Sequence, residues 1–434
     1  MFTKGRIIAC VIGIIYFSVF YVVAAFAHTR GHHQHDEVQT TACQSVVSTA
    51  KKATQKNDQV AAKFARYESN ENKPEYLEAL GWIYVDIART QSDERLIDYA
   101  GDAALCMLEK DPSSLSGKLL LGYVRHQQHR FSEARALARE LVAARGYWFD
   151  HALLGDVVAE QGDLHTAVTA YEAMVSQRPG AQSFARIAHL RWLTGDVHGA
   201  ISAARLAVGA ASGSKEHSAW IQTKLGELLF FSGDLAAAMQ LGEHAAKTIP
   251  DYAPALVLRG RVFMAQQQPN LAIPVLEQAL SRSPLPETQW LLLEAISDAG
   301  DLRTTQGLRS ALINNHEDPR TIATFLATRK IDLNKALVLA QAELDNRQDA
   351  LTLDALAWAY YSNGNMADAA RLSNRAVNHG LQHGRIYLHA ALIQDRLGNH
   401  DVAEEYLLRA HAQRHVLMPS ERKLLDTART QTTS

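Results

Sequence analysis

Proline and glycine are scarce in this chain, 11 and 25 residues among 434, which leaves little room for a collagen-like, disordered or turn-rich all-β architecture. An excess of one charge is lacking too. The 44 Lys and Arg face 46 Asp and Glu, for a formal net charge of -2, and the basic residues are dispersed, so the electrostatic footprint of a nucleic-acid binder is missing. Also missing are a Gly-rich phosphate loop, a zinc-type His-Glu-x-x-His pair and a nucleophile elbow. The scattered His, Asp and Glu then read as surface, and the expectation is a protein that is not an enzyme and needs no cofactor. What is abundant is apolar side chain, 47% of the chain, enough to bury a large helical core.

The amino terminus reads as an address. Lys4 and Arg6 precede Ile7 to Ala27, a stretch without a charged residue that closes on Ala25-Phe26-Ala27, the small-x-small pattern accepted by a signal peptidase. At about 20 residues it is also long enough to span a bilayer. Residues 1–27 are therefore either a cleaved signal peptide or an uncleaved anchor. Both routes leave the basic residues in the cytoplasm and place the rest of the chain outside, periplasmic or secreted, with membrane contact only through this segment.

Residues 28–44 form a His-rich linker. Its His28, His32, His33 and His35 are spaced closely enough to bind zinc, copper or nickel, although a flexible tract lacks the second shell that makes a dedicated site. Only three cysteines occur. Cys10 lies in the apolar segment, and Cys43 and Cys106 are left as either a disulfide of an oxidising compartment or two separate thiols.

The strongest pattern is a ladder of small residues: Ala100, Ala134, Ala167, Ala200, Ala238, Ala272, Thr305, Ala336, Ala369 and Ala403. Successive rungs lie 31 to 38 residues apart, mostly 33 or 34. Self-similarity at this period marks stacked units, each too small to bury its own apolar face. One block runs Leu154-Gly155, Gly162-Asp163-Leu164, Ala167, Tyr171, Pro179; another has Gly226, Gly233-Asp234-Leu235, Ala238, Ala245, Pro250; a third has Gly260, Ala272, Ala279 and Pro284. These blocks resemble the tetratricopeptide repeat. The resemblance covers about residues 75–417 and implies an all-α, right-handed superhelical solenoid of about ten antiparallel helix pairs. The Ser281-Arg282-Ser283-Pro284-Leu285-Pro286-Glu287 junction is in addition similar to exported bacterial tetratricopeptide proteins of unassigned function, a likeness that brings no activity with it.

Physical reasons support the pattern. Small residues such as Gly155 and Ala167 let two helices approach closely. A Gly-Asp or Gly-Asn pair ends the first helix of each pair, and Pro stops the second. The step of 38 predicts a longer loop at residues 209–214. Repeat eight, Thr321 to Asn346, lacks the turn signature, and residues 45–74 and 418–434 read as capping helices that cover the two apolar ends.

In this family the first helix of each pair lines a concave groove through positions 2, 5, 9 and 12, which share an arc of about 80° on a helical wheel. The resemblance places Trp82, Tyr123, His126, Asp156, Glu160, His189, Trp192, Trp220, Glu227, Phe230, Arg261, Trp290, Trp358 and Tyr361 there. Such a face suits a peptide or partner helix, yet the same tryptophans could pack repeat against repeat. The Lys and Asn of the carboxylate-clamp receptors are absent. The reading is a non-enzymatic extracytoplasmic scaffold for a protein partner, with metal handling by the His tract as the alternative.

Overall fold

The computed structural model describes residues 41–54, 57–70, 73–91, 93, 95–211, 215–301, 305–316 and 318–432, and those from Ala42 onward form one unit. Ahead of the repeats stand α1 (Ala42–Thr54) and α2 (Asp58–Glu68). Five helix pairs follow: α3 (Pro74–Gln91) with α4 (Arg95–Lys110), α5 (Leu115–Gln127) with α6 (Phe131–Ala144), α7 (Trp148–Glu160) with α8 (Leu164–Gln177), α9 (Ala181–Leu193) with α10 (Val197–Gly209), and α11 (Lys215–Phe231) with α12 (Leu235–Thr248). Five more complete the stack: α13 (Ala253–Ala265) with α14 (Pro269–Arg282), α15 (Pro286–Asp298) with α16 (Thr305–Ile313), α17 (Pro319–Arg329) with α18 (Leu333–Asn346), α19 (Ala350–Ser362) with α20 (Met366–Asn378), and α21 (Gly384–Arg396) with α22 (His400–Ala412). A 3-10 turn, Arg414–Val416, leads into α23 (Pro419–Thr432), and no strand occurs among the described residues. The expected all-α solenoid is what the chain forms.

Each rung of the ladder sits in the second helix of its pair, and all ten are buried. Second helices carry one apolar stripe: in α8 the buried residues are Ala167, Ala170, Tyr171 and Met174, the i, i+3, i+4, i+7 set of a helix with one covered face. First helices lie between neighbours and are buried on more sides. In α7 the buried residues run Asp150, Ala152, Leu153, Leu154, Gly155, Val157 and Val158. Gly155 is small because a Cβ there would lie 2.3 Å from the Tyr171 ring, so its close partner is Tyr171 rather than the expected Ala167.

The Gly-Asp turns divide their labour. Gly233 ends α11 at φ +90°, where an L side chain is strained, and Asp234 caps α12 by accepting from the backbone N–H of Ala237 at 3.0 Å. Repeat eight makes the same turn without glycine. Lys330 and Asp332 take φ of 52° and 43°, and the Asp332 carboxylate then accepts from the N–H of Lys335. The long step of 38 is only partly a loop, since α11 is 17 residues against 13 in α9, so one extra helical turn absorbs the remainder.

The amino-terminal end departs from a single capping helix. Residues 45–74 hold a helix break, because the Asn57 side chain accepts from the N–H groups of Gln59 and Val60 and starts α2 afresh. Helix α1 packs on α4 and is bonded to it by the Cys43–Cys106 disulfide, with Cα atoms 4.6 Å apart. At the other end α23 covers α22 and also reaches α21 of the same last repeat and α15 of repeat seven. Among the described residues no helix is long and apolar enough to cross a membrane. The segment 1–27 lies outside them.

Candidate functional site: a closed central cavity

The stack curves until distant repeats touch. Arg347, at the end of α18, reaches Glu160 of α7 at 3.0 Å, and the Asn346 amide donates to the His129 carbonyl at 3.1 Å. The Gln382 N–H donates to the Leu193 carbonyl at 3.3 Å. The ring of His415 meets Phe230 edge to face. Between the two arms lies a cavity of about 550 Å³ to which every first helix from α5 to α21 contributes a side chain.

One wall is aromatic. Trp192 stacks on Phe231 with ring centres 5.5 Å apart, His189 stacks on Trp192, and His383 meets the Trp192 edge from the opposite arm. Trp220 completes this wall, with the Arg89 guanidinium 6.0 Å from its ring.

The remaining wall is charged and already paired. Arg186 grips Asp156 through two hydrogen bonds of 2.8 and 2.7 Å, and the Tyr171 hydroxyl donates to the same carboxylate. Burial pushes the Asp156 carboxyl up, but the Arg186 charge and these donors outweigh it and hold it below the usual carboxylate range. Arg261 pairs with Glu287 at 2.6 Å, and that cation is the chief reason the Glu287 carboxyl is held low. Arg320 approaches Asp349 at 3.3 Å, and Arg385 donates to Glu421 from Nε at 2.6 Å and from Nη2 at 3.2 Å. In all, five cationic and five carboxylate side chains line the space.

His383 is the histidine most strongly displaced here. Burial, and then Arg385, Arg320, His389 and Arg261 around it, lower it from 6.5 to about 3. Its ring nitrogen Nδ1 accepts from the Arg385 N–H and so caps α21. The folded state keeps the ring neutral while the unfolded chain protonates near 6.5, so stability should fall as pH drops below 6.5, by about 1.4 kcal/mol per unit. Between pH 6.5 and 5 that amounts to ~2 kcal/mol. His383→Asn keeps a capping acceptor and should flatten that part of the pH dependence in urea melts; an unchanged slope would place its origin elsewhere.

A tetratricopeptide repeat family model matches residues 355–414, which span most of α19, its partner α20, and the α21–α22 pair. Residues 355–414 therefore carry tetratricopeptide repeats, and the described chain folds as a solenoid of that type. Solenoids of this type generally serve as scaffolds for interactions with protein partners. Its sequence matches no curated protein. In solved structures its fold is similar to the human IFIT1 dimer with m7Gppp-AAAA, at 13% identity and a TM-score of 0.51 over 85% of this chain and 89% of that one. The human IFIT1 dimer with PPP-AAAA gives 14% identity and a TM-score of 0.50 over 79% and 91%. Yeast Tom70 aligns at 13% identity over 90% and 96%, with a TM-score of 0.38.

Within this tetratricopeptide solenoid the expected groove residues divide. His126, Asp156, Glu160, His189, Trp192, Trp220, Glu227 and Arg261 meet in the cavity. Trp82 and Tyr123 pack on each other at 5.5 Å, and Trp82 also packs on Phe149, joining three successive repeats. Trp290, Trp358 and Phe230 are corrected from groove to core. Trp290 is 0% exposed, edge to face with Phe325, and its N–H donates to Glu294. Trp358 lies flat on His389 at 4.1 Å with Tyr361 stacked on it, and its N–H donates to the Thr328 hydroxyl. Phe230 is shut beneath His415.

Other cavity residues escaped the repeat template. Arg186 and Lys224 each sit one turn before an expected residue, His189 and Glu227, so the i, i+3 spacing carried a signal for them. Arg320 and Arg385 open the first helices of repeats eight and ten and had no such neighbour to mark them. The His28, His32, His33 and His35 tract lies outside the described residues, among which no cluster of three metal-ligating side chains occurs.

Proposed function

We propose that this chain is a non-catalytic, extracytoplasmic scaffold that holds a protein partner by an extended segment taken into the central cavity. The carrying observation is the wall of Trp192, Trp220 and Phe231 facing balanced charge across about 550 Å³, a volume typical of ligand pockets. Rigid aromatics bury much area at little entropic cost, which is why they anchor peptides. Of the two occupants weighed from sequence, the extended peptide fits better than the helix. A helix with its side chains is about 10–12 Å across, so this space of about 550 Å³ holds roughly one turn. The phosphate-bearing m7Gppp-AAAA named with IFIT1 is an anion of a kind that needs a basic surplus, whereas cations and carboxylates are equal in number around this cavity.

Two observations support an extracytoplasmic place: the basic start followed by an apolar stretch, and a cystine of the kind that persists in oxidising compartments. The test is affinity capture from the native envelope with partners identified by mass spectrometry. Truncating Trp192 or Trp220 to alanine should each weaken capture of the same partner about thirtyfold, corresponding to ~2 kcal/mol, with melting little changed. Trp358→Ala, in the core, should instead lower melting, and its residual capture should track the folded fraction. Equal capture by wild type and the Trp192→Ala/Trp220→Ala double variant would remove the cavity from the proposal.

A further inference from the structure

A second chamber, about 420 Å³, adjoins the first. The two share four lining residues, Lys224, Glu227, Arg261 and Glu287, carried by the consecutive first helices α11, α13 and α15. On α11 Lys224 pairs with Glu227 at 2.8 Å, and between α13 and α15 Arg261 pairs with Glu287 at 2.6 Å. Charge of both signs therefore lines the place where the chambers meet. The outer chamber has an aliphatic lining from Ile97, Val257 and Leu285. It also contains Arg89, whose guanidinium stands 6.0 Å from the Trp220 ring of the inner chamber, a second point of contact between them.

We infer that the two chambers are one continuous binding channel whose ligand is an extended peptide with two apolar side chains separated by a short stretch bearing both a positive and a negative charge. This rests on the peptide-holding function proposed above and adds to it the second chamber and the ligand's charge pattern. Each part of the pattern has its reason. The inner chamber offers aromatic rings to one apolar side chain, and the outer offers aliphatic groups to the other. The shared charges are partly exposed, Lys224 by 49% and Glu287 by 49% of their side chains, so each retains solvent-facing polar atoms for a ligand group of opposite sign. A ligand of one sign would gain at two of the four positions and be repelled at the other two, whereas a segment of both signs is matched throughout. Extended backbone advances about 3.3 Å per residue, so a few residues suffice to pass from one chamber to the next.

The test uses the full chain and a pool of random decapeptides, acetylated and amidated to remove terminal charge, selected by binding and read by mass spectrometry. Wild type should enrich peptides with the apolar, mixed-charge, apolar pattern. Leu285→Asp, at a site 44% exposed and so tolerant of the change, should weaken those peptides at least tenfold. The swap Lys224→Glu/Glu227→Lys keeps the ion pair but reverses its order, and should lose the same peptides and enrich others with the two charges exchanged. Trp192→Ala should weaken all of them. Peptides lost on Trp192→Ala but indifferent to both other variants would occupy the inner chamber alone; the channel would then be wrong and the scaffold reading would stand. Peptides indifferent to Trp192→Ala as well, or no enrichment at all, would overturn both.

Discussion

Arg385→Ala is expected to cost the fold about 3–5 kcal/mol, because it strands a buried carboxylate. Glu421 is 0% exposed and accepts from Arg385 through Nε and Nη2 and from the Met418 N–H. Arg385 also lies over the Trp290 ring at 5.7 Å, so its removal uncovers apolar surface. The loss should show as early release of α23: its amides exchange freely and a protease cuts within 413–432, while α5 to α10 keep their protection. Arg385→Met/Glu421→Leu removes both charges and should recover most of the stability. A cost below ~1 kcal/mol for Arg385→Ala would mean that α23 is held by its apolar contacts alone.

Breaking the cystine should have an effect of comparable size but at the other end. The bond closes a loop of 63 residues, and in the chain-entropy account such a cross-link is worth about 4 kcal/mol. Repeat stacks pass stability only between neighbours, so the penalty should fall on α1 and α2 rather than on the whole chain. Cys43→Ser/Cys106→Ser, or reduction of the wild type, should let α1 leave α4 and expose the face that holds Ala100, Ala103 and Met107, all buried in the intact protein. Hydrogen exchange would read the release of α1, and binding of an apolar dye the uncovered face. Unchanged protection of α1 after reduction would show that packing alone secures it, helped by the Ser45 hydroxyl donating to Asp102.

What could be read in the sequence was whatever repeats locally. The small-residue ladder fixed the period and the buried stripe of each second helix, because a residue at Ala167 meets the same surroundings as one at Ala200 or Ala369. The Gly-Asp turns were legible for the same reason. Repeat eight hid its turn because Lys330 and Asp332 adopt left-handed backbone without the glycine that advertises it. The site was half legible. A repeat template assigns one orientation to each position, but Trp290 and Trp358 face individual neighbours, Phe325 and His389, which no average position encodes. Closure was invisible altogether. Its contacts join residues 187, 189 or 217 apart, and neither partner carries a local sign of the other.

That closure also has a consequence for how such a gene can change. An open stack tolerates the gain or loss of a unit almost anywhere, since each unit touches only its neighbours. Here Glu160 and Arg347 meet only because the units between them turn the chain through one particular total angle. One duplicated unit of about 34 residues between α8 and α17 would rotate Arg347 past Glu160 and the Gln382 N–H past the Leu193 carbonyl, unseating the ring at several points together. Copy number inside the closed span is thereby locked, and since Arg89 of α3 also pairs with Glu216 of α11 at 3.2 Å, the freedom to add or shed units is confined to the stretch before α3.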